Sequence, residues 1–543
     1  MNTSELLKRA ITTGLSFLLL LPTSLLQGQN KPIPDRVEAF LFSLPAKAKE
    51  QISAGKEQID FSRYVKEWAK ETGQTAAQAE AEITRWVSAV EQKADDSYKL
   101  GLAAFYQKDF TSAAEKFART AGEKAALLNE LKQKNQATPE VNAKLVSEGA
   151  NGLRLAGHAF FFNYDFVNAI KSYQQAITFT SREQAPAAWA AMVSDLGQAY
   201  SELGLRADKN NAQKLFANAA EAYRKTLEIY TRETFPREWV ETQSSLGAAL
   251  SLAGMRTDGE AGNKLLNEGA DILRKALEGV NRSQTPLLWA KIQNNLGTAL
   301  AELAVRTGGE NGMRLLLDAI AAYRLSLEVR TYETYPEVWA DTQANLGAAY
   351  YFLKDWPQVA ECYTNVLKVF PDNQLAHATA SDLYQKVLFN FELAFKLNQE
   401  WLKRHPNDLL EQVKLVEKYF TTGRFEECQK QIATYSQSKD FSALVQIVMN
   451  IIHVPTLIAL KQPNAVPAKM QTLLETIKSL PESFKIEFET AGMQYYISQN
   501  PMFTPYRDWL LKFFKAAGGA NRDAVYFAME EAQKGFQVMA NNQ

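Results

Sequence analysis

A period of fifty residues runs through the middle of this chain and leaves few folds open to it. Trp189, Trp239, Trp289 and Trp339 stand fifty residues apart, and Pro186, Pro236, Pro286 and Pro336 keep the same step. So do the Leu-Gly pairs at 196–197, 246–247, 296–297 and 346–347, and so do Arg206, Arg256 and Arg306. Several residue types in one register mark a supersecondary unit that buries its apolar face only against its neighbours. Each unit reads as two helices. The first opens with proline, where a missing N–H costs nothing. It then carries apolar residues at three- and four-residue spacing, as in Pro286-Leu-Leu-Trp-Ala-Lys-Ile-Gln-Asn-Asn-Leu-Gly. A breaker follows, Thr-Asp-Gly at 257–259 and Thr-Gly-Gly at 307–309. The second helix sets Ala219, Gly269 and Ala319 four residues before Tyr223, Leu273 and Tyr323, small beside large, so that adjacent helices interlock.

In these features the chain resembles the tetratricopeptide repeat family. Leu346-Gly347-x-x-Tyr350, Val359-x-x-x-Tyr363-x-x-Val366 and Pro371 keep the family's own spacing. So do Leu100-Gly101 with Ala113-x-x-x-Phe117, and Gly157-x-x-Phe160 with Ala169-x-x-x-Tyr173-x-x-Ala176. The middle units exceed the family's repeat of about thirty-four residues, which predicts roughly two extra turns in each helix. The likeness covers roughly residues 97–435, and Tyr419-Phe-Thr-Thr-Gly423-Arg-Phe425-Glu-Glu-Cys428 reads as one further unit.

The resemblance implies an all-α fold, a right-handed superhelical solenoid of antiparallel helix pairs whose first helices line an inner groove for a protein or peptide partner. In that family the residue before Leu-Gly points into the groove, which places Asp195, Ser245, Asn295 and Asn345 there. Gln243, Gln293 and Gln343, two positions earlier, reach it from the margin, and Lys291 stands at its edge with Glu241 and Asp341. Amide side chains both donate and accept, which suits reading a main chain without demanding a sequence. The row is incomplete at Asp195 and Ser245, and ordinary polar exposure is its competing explanation.

The ends read differently. Lys8-Arg9 before an apolar run from Ala10 to Leu21, broken by Pro22, is the plan of a cleaved leader, so residues 1–28 are expected to direct export to a periplasmic or extracellular, envelope-associated location. Residues 29–95 read as a helical cap, with Thr75 and Gln78 placed for a capping box. Residues 96–435 form the repeat region, and 436–543 a helical region without the register. The run from Phe441 to Leu460 is apolar but interrupted by Asn450, His453 and Pro455, so a buried helix is expected rather than a membrane span.

Little in the sequence suggests chemistry. Lys and Arg number 60 against 61 Asp and Glu, with no long basic run, so a nucleic-acid footprint is absent. His158, His377, His405 and His453 lack partners at metal-ligand spacing, and neither a phosphate-binding loop nor a nucleophile elbow occurs. No metal or cofactor is expected. Cys362 and Cys428 are too few for a disulfide framework. The repeated arginines are expected to meet free carbonyls at first-helix ends, and the repeated tryptophans to anchor stacked units. The leading expectation is a non-enzymatic exported scaffold. A self-associating envelope component and an enzyme hidden in 436–543 are the alternatives.

Overall fold

The computed structural model describes residues 36–45, 60–93, 95–437, 442–481, 490–517 and 522–541, so the expected leader lies outside the described residues. Among the described residues every regular element is helical. The chain divides into two compact units, Met1–Ala349 and Tyr350–Gln543.

In the first unit, α1 (36–45), α2 (Ser62–Glu71) and α3 (Ala76–Lys93) precede the helix pairs. Thr75 and Gln78 form the expected capping box: the Thr75 N–H donates to Gln78 Oε1 at 2.9 Å, and the Gln78 N–H to Thr75 Oγ1 at 3.2 Å. Val37, Phe40, Trp68 and Ile83 share one core with Phe105, Phe117 and Tyr173 of the pairs that follow. Those pairs are α4 (Ser97–Tyr106) with α5 (Phe110–Gln133), and α6 (Pro139–Phe162) with α7 (Phe166–Phe179). The fifty-residue units come next: α8 (Pro186–Arg206) with α9 (Lys209–Leu227), α10 (Pro236–Arg256) with α11 (Gly259–Gly279), and α12 (Pro286–Thr307) with α13 (Gly309–Leu327). The first helix of the next pair, α14 (Pro336–Leu353), carries the division between the units.

In the three fifty-residue pairs α8–α9, α10–α11 and α12–α13 the glycine of the Leu-Gly packs tightly against the second helix. A Cβ on Gly197 would stand 2.9 Å from the Tyr223 ring, and one on Gly297 2.8 Å from that of Tyr323. In these two pairs an aromatic ring of the second helix lies directly on the backbone of the first, and in α10–α11 Leu273 takes that place, 2.7 Å from a Cβ on Gly247, which accounts for the register seen in the sequence.

The tryptophans take a less buried place than expected. Trp239 is buried, but Trp189, Trp289 and Trp339 keep part of their surface in solvent. An arginine lies over three of them: Arg182 at 5.1 Å from the Trp189 centroid, Arg232 at 5.8 Å from Trp239 and Arg282 at 4.6 Å from Trp289. Each arginine also reaches the C-terminal end of the next second helix. Arg182 pairs with Glu228, Arg232 donates to the Glu278 carbonyl at 3.2 Å, and Arg282 pairs with Glu328 at 2.5 Å. At the other edge Arg306 donates to the carbonyls of Thr257 and Met255, at 2.9 and 3.3 Å, so it satisfies the end of the preceding first helix.

In the second unit the helices are shorter. α15 (Trp356–Val369), α16 (Gln374–Lys386), α17 (Phe391–Arg404), α18 (Leu409–Thr421) and α19 (Phe425–Gln437) have 13 or 14 residues, against 19 to 22 in α8–α13. The difference matches the two turns per helix that the repeat length predicts. Then follow α20 (Ala443–Ala459), α21 (Val466–Lys478), α22 (Ala491–Gln499), α23 (Arg507–Ala517) and α24 (Arg522–Asn541).

A boundary at 435–436 is not where the core divides, because Val416, Phe420, Cys428 and Ile432 join Ile447, Met470, Leu510 and Phe513 in one cluster. α20 is a buried helix of that core, and no helix among the described residues is long and apolar enough to cross a membrane. The aromatic residues Phe503, Trp509, Phe513 and Phe514 also lie in it. Cys362 and Cys428 are buried thiols outside any disulfide.

Candidate functional site

The first helices of the long units carry a polar row on α8, α10, α12 and α14, and it contains the residues singled out in the sequence. It is not an open groove. Ser245 and Lys291 are fully buried, Asn295 and Asn345 are 2% exposed, and Asp195, Gln243, Gln293 and Gln343 reach at most 9%. The expectation that these eight residues lie displayed along a free surface is therefore corrected: they line a closed seam between inner helices.

Composition explains the closure. From residue 244 onward α10 carries Ser244, Ser245, Gly247, Ala248, Ala249, Ser251, Ala253 and Gly254, and every residue from Trp239 to Gly254 is buried. Side chains this small cannot hold neighbouring inner helices apart, and α12 repeats the pattern with Gly297, Ala299, Ala301 and Ala304. On its other side Asn345 Nδ2 of α14 donates to Asn294 Oδ1 of α12 at 3.3 Å.

The seam carries charge at two places. At one, Arg154 Nε on α6 donates to Asp195 Oδ2 at 2.6 Å. His158 Nε2 lies 3.7 Å from the same oxygen, and its Nδ1 lies 2.8 Å from the Tyr173 hydroxyl. At the other, Glu202 accepts from Arg206 at 2.7 Å and Glu241 from Arg237 at 2.9 Å. Burial pushes both carboxyls up, Glu241 to about 7, against the pull of the bonded arginine and of Lys291 on α12. Lys291 thus acts on carboxylates of both preceding inner helices.

Several polar atoms of the row have no hydrogen-bond partner: Ser244 Oγ, Asn295 Oδ1 and Asn345 Oδ1. Each such atom costs roughly 1–3 kcal/mol when buried, so a purely structural seam would be better filled with apolar groups.

The second unit brings together residues that the sequence did not connect. Glu411 on α18 lies 3.0 Å from His377 Nε2, accepts from Asn398 Nδ2 at 2.6 Å, and pairs with Lys414 at 2.8 Å. Burial pushes the Glu411 carboxyl up, but His377, Lys414 and Lys418 together hold it well below the usual carboxylate range. Burial pushes the nearby Lys418 ammonium down to about 8. His377 stacks on Trp401, with centroids 4.4 Å apart, and Trp401 on His405 at 4.0 Å. These histidines are parts of a packed network. Beside it an open cleft of about 520 Å³ is lined by Phe389, Phe391, Tyr496, Asn390, Glu392 and Thr421, among others. No group of three or more potential metal ligands occurs among the described residues.

The arginine ladder, Glu202 and Asn294 escaped the sequence reading, although Arg182, Arg232 and Arg282 carry the fifty-residue step as plainly as the tryptophans do. The partner glutamates Glu228, Glu278 and Glu328 repeat it again.

No protein-family model matches the chain. No curated protein matches it either. Among solved structures, one similar chain is a signal-transduction ATPase with numerous domains and a tetratricopeptide repeat sensor, from Pyrococcus horikoshii. It is 13% identical, with 86% of this chain and 67% of that one covered, at a TM-score of 0.29. The tetratricopeptide repeat domain of P58(IPK) is 12% identical over 72% of this chain and 98% of its own, at 0.20. A circular tandem repeat protein with a novel repeat topology is 14% identical over 94% of this chain and 98% of its own, at 0.22. Superposition at these values transfers no detail from those proteins. By its paired helices, its ring-on-glycine contacts and its fifty-residue register, the chain is an all-α protein of tetratricopeptide-like repeats.

Proposed function

We propose that this protein is a non-catalytic scaffold, exported from the cytoplasm, which holds a segment of a partner protein against the inner helices of its long units. The observation that carries the reading is the row Ser245, Asn295 and Asn345 with its neighbour Ser244. It is polar at the same register position in successive units, buried, and left with unsatisfied oxygens. An extended main chain offers N–H groups at regular spacing, which is what these oxygens lack. Since the seam is closed, binding has to open it, and partner affinity is reduced by the cost of that opening.

The test replaces both amides with leucine, Asn295→Leu and Asn345→Leu. Removing the unsatisfied Asn295 and Asn345 oxygens should raise thermal stability, by about 1 kcal/mol net of the lost Asn345–Asn294 hydrogen bond. Partners cross-linked to the wild-type chain in its native cells should be lost from the variant. A stabilised variant that still captures them would place the binding surface elsewhere. Export is read from the mass of the mature chain, which should lack a leader of about the length predicted at its N-terminus.

A further inference from the structure

Arg330 is the largest of the fully buried side chains in the described structure, at 1% exposure. It follows α13 at the register position that holds Thr180, Tyr230 and Val280 in the preceding units. Tyr230 fills the site with a ring and donates its hydroxyl to the Ala187 carbonyl at 3.1 Å. Arg330 brings a cation with five donors to the same place. Its Nη1 donates to Thr342 Oγ1 at 3.2 Å, a hydroxyl that itself donates to the Val338 carbonyl at 2.7 Å. Nε and Nη2 have no acceptor. The field of Asp341 reaches the guanidinium, although neither Nε nor Nη2 donates to it. One turn earlier on α13 the Ser326 hydroxyl is fully buried and also lacks a partner.

The two unsatisfied nitrogens are not scattered around the guanidinium. Nε–H and one N–H of Nη2 point the same way along a single edge, the edge that matches a two-oxygen anion with parallel hydrogen bonds. A buried guanidinium whose Nε and Nη2 have no bonded acceptor is destabilising even with Asp341 in range, and a methionine of similar length would fill the space without that penalty.

We infer that Arg330 anchors a carboxylate-binding site in the first unit, with the carboxylate lying in the guanidinium plane on its Nε–Nη2 edge. A monoanion is the fitting charge, because one arginine neutralises a carboxylate and would leave a dianionic phosphate with excess buried charge. Entry at a site this deep requires local opening of the α13–α14 pair, which helix-repeat units sample below global unfolding. The inference stands apart from the partner reading, since a free carboxylate and one carried on a peptide are the same chemistry to Arg330.

The experiment follows thermal unfolding of the full chain in sodium acetate, sodium phosphate and sodium chloride at equal ionic strength. Acetate should raise the melting temperature above that in chloride by on the order of 2 °C, and phosphate by less. Arg330→Met should melt higher than wild type in chloride and lose the acetate response. Asp341→Asn should strengthen that response by removing a competitor. An acetate effect retained in Arg330→Met would overturn the site. So would no acetate effect in wild type, or Asp341→Asn abolishing the response. Should Arg330→Met fail to fold, the Nε–H resonance of Arg330 in wild type decides: it shifts on titration with formate if the site exists and stays put if it does not. A carboxylate-terminated peptide that raises the melting temperature at lower concentration than acetate identifies the carried form, and equal potency identifies the free one.

Discussion

The inner helices of the two units solve the same packing problem in opposite ways. In the first unit α10 is buried on all sides from Trp239 to Gly254, and its neighbours meet through serines, alanines and glycines. In the second, α16 is two turns shorter and keeps Asp382, Leu383, Tyr384 and Lys386 partly exposed, while charged groups join it to α18. Longer helices did not produce a larger open surface. Small side chains let long helices close on one another, whereas large charged ones hold short helices at a distance and leave their edges wet.

The contrast can be broken most forcefully at Glu411. Glu411→Ala leaves His377, Asn398, Lys414 and Lys418 without the group that unites them, at an expected cost of about 3–5 kcal/mol. Amide exchange should then speed up in α16–α18 and stay unchanged in α10 and α12. Loss of protection in both units would mean that the network does not belong to the second unit alone.

A smaller effect is expected at Gly297. Gly297→Leu drives a side chain into the Tyr323 ring and the Ala319 carbonyl, at a cost of about 2–3 kcal/mol, with loss of protection centred on α12 and α13. A neutral result would show that the ring can swing aside and that the register glycine is not a steric necessity.

The smallest effect is a pH dependence that sharpens the difference. Burial holds the Glu241 carboxyl near 7, so the folded chain keeps a proton there that the unfolded chain gives up around 4.5. The stabilisation from that proton is complete below 4.5 and is lost as pH rises through 7. Glu241→Gln, titrated by urea unfolding between pH 4 and 8, should remove about 1–2 kcal/mol of that decline. An unchanged pH profile would mean that Arg237 and Lys291 already compensate the carboxylate in full.

Much of the fold was legible because identical contacts recur. The glycine under each aromatic ring, the proline at each first-helix start and the excess helix length are local consequences of the sequence, and all appear where the register puts them. Burial of Asn295 and Asn345 was not legible in the same way. The inner face of a repeat is open or shut according to how closely successive first helices approach, and that distance is set by residues such as Ser244, Ala248 and Gly254. Their smallness reads at first only as good helix packing. Arg330 could have been found from sequence, since a register position reading Thr, Tyr, Val and then Arg departs in charge at one unit only. Its unsatisfied edge could not, because that depends on what Thr342 and Asp341 fail to supply.

The arginines stacked on the tryptophans have a consequence for the length of the array. Because Arg182 reaches Glu228 and Arg282 reaches Glu328, each clasp crosses from one unit into the next. A cut inside a unit would strand one half of a clasp on each side. Excising residues 186–235 instead brings Arg182 to Glu278 in the relation it now has to Glu228. The array therefore behaves as a counted chain, tolerant of losing or gaining whole links and intolerant of fractions of one.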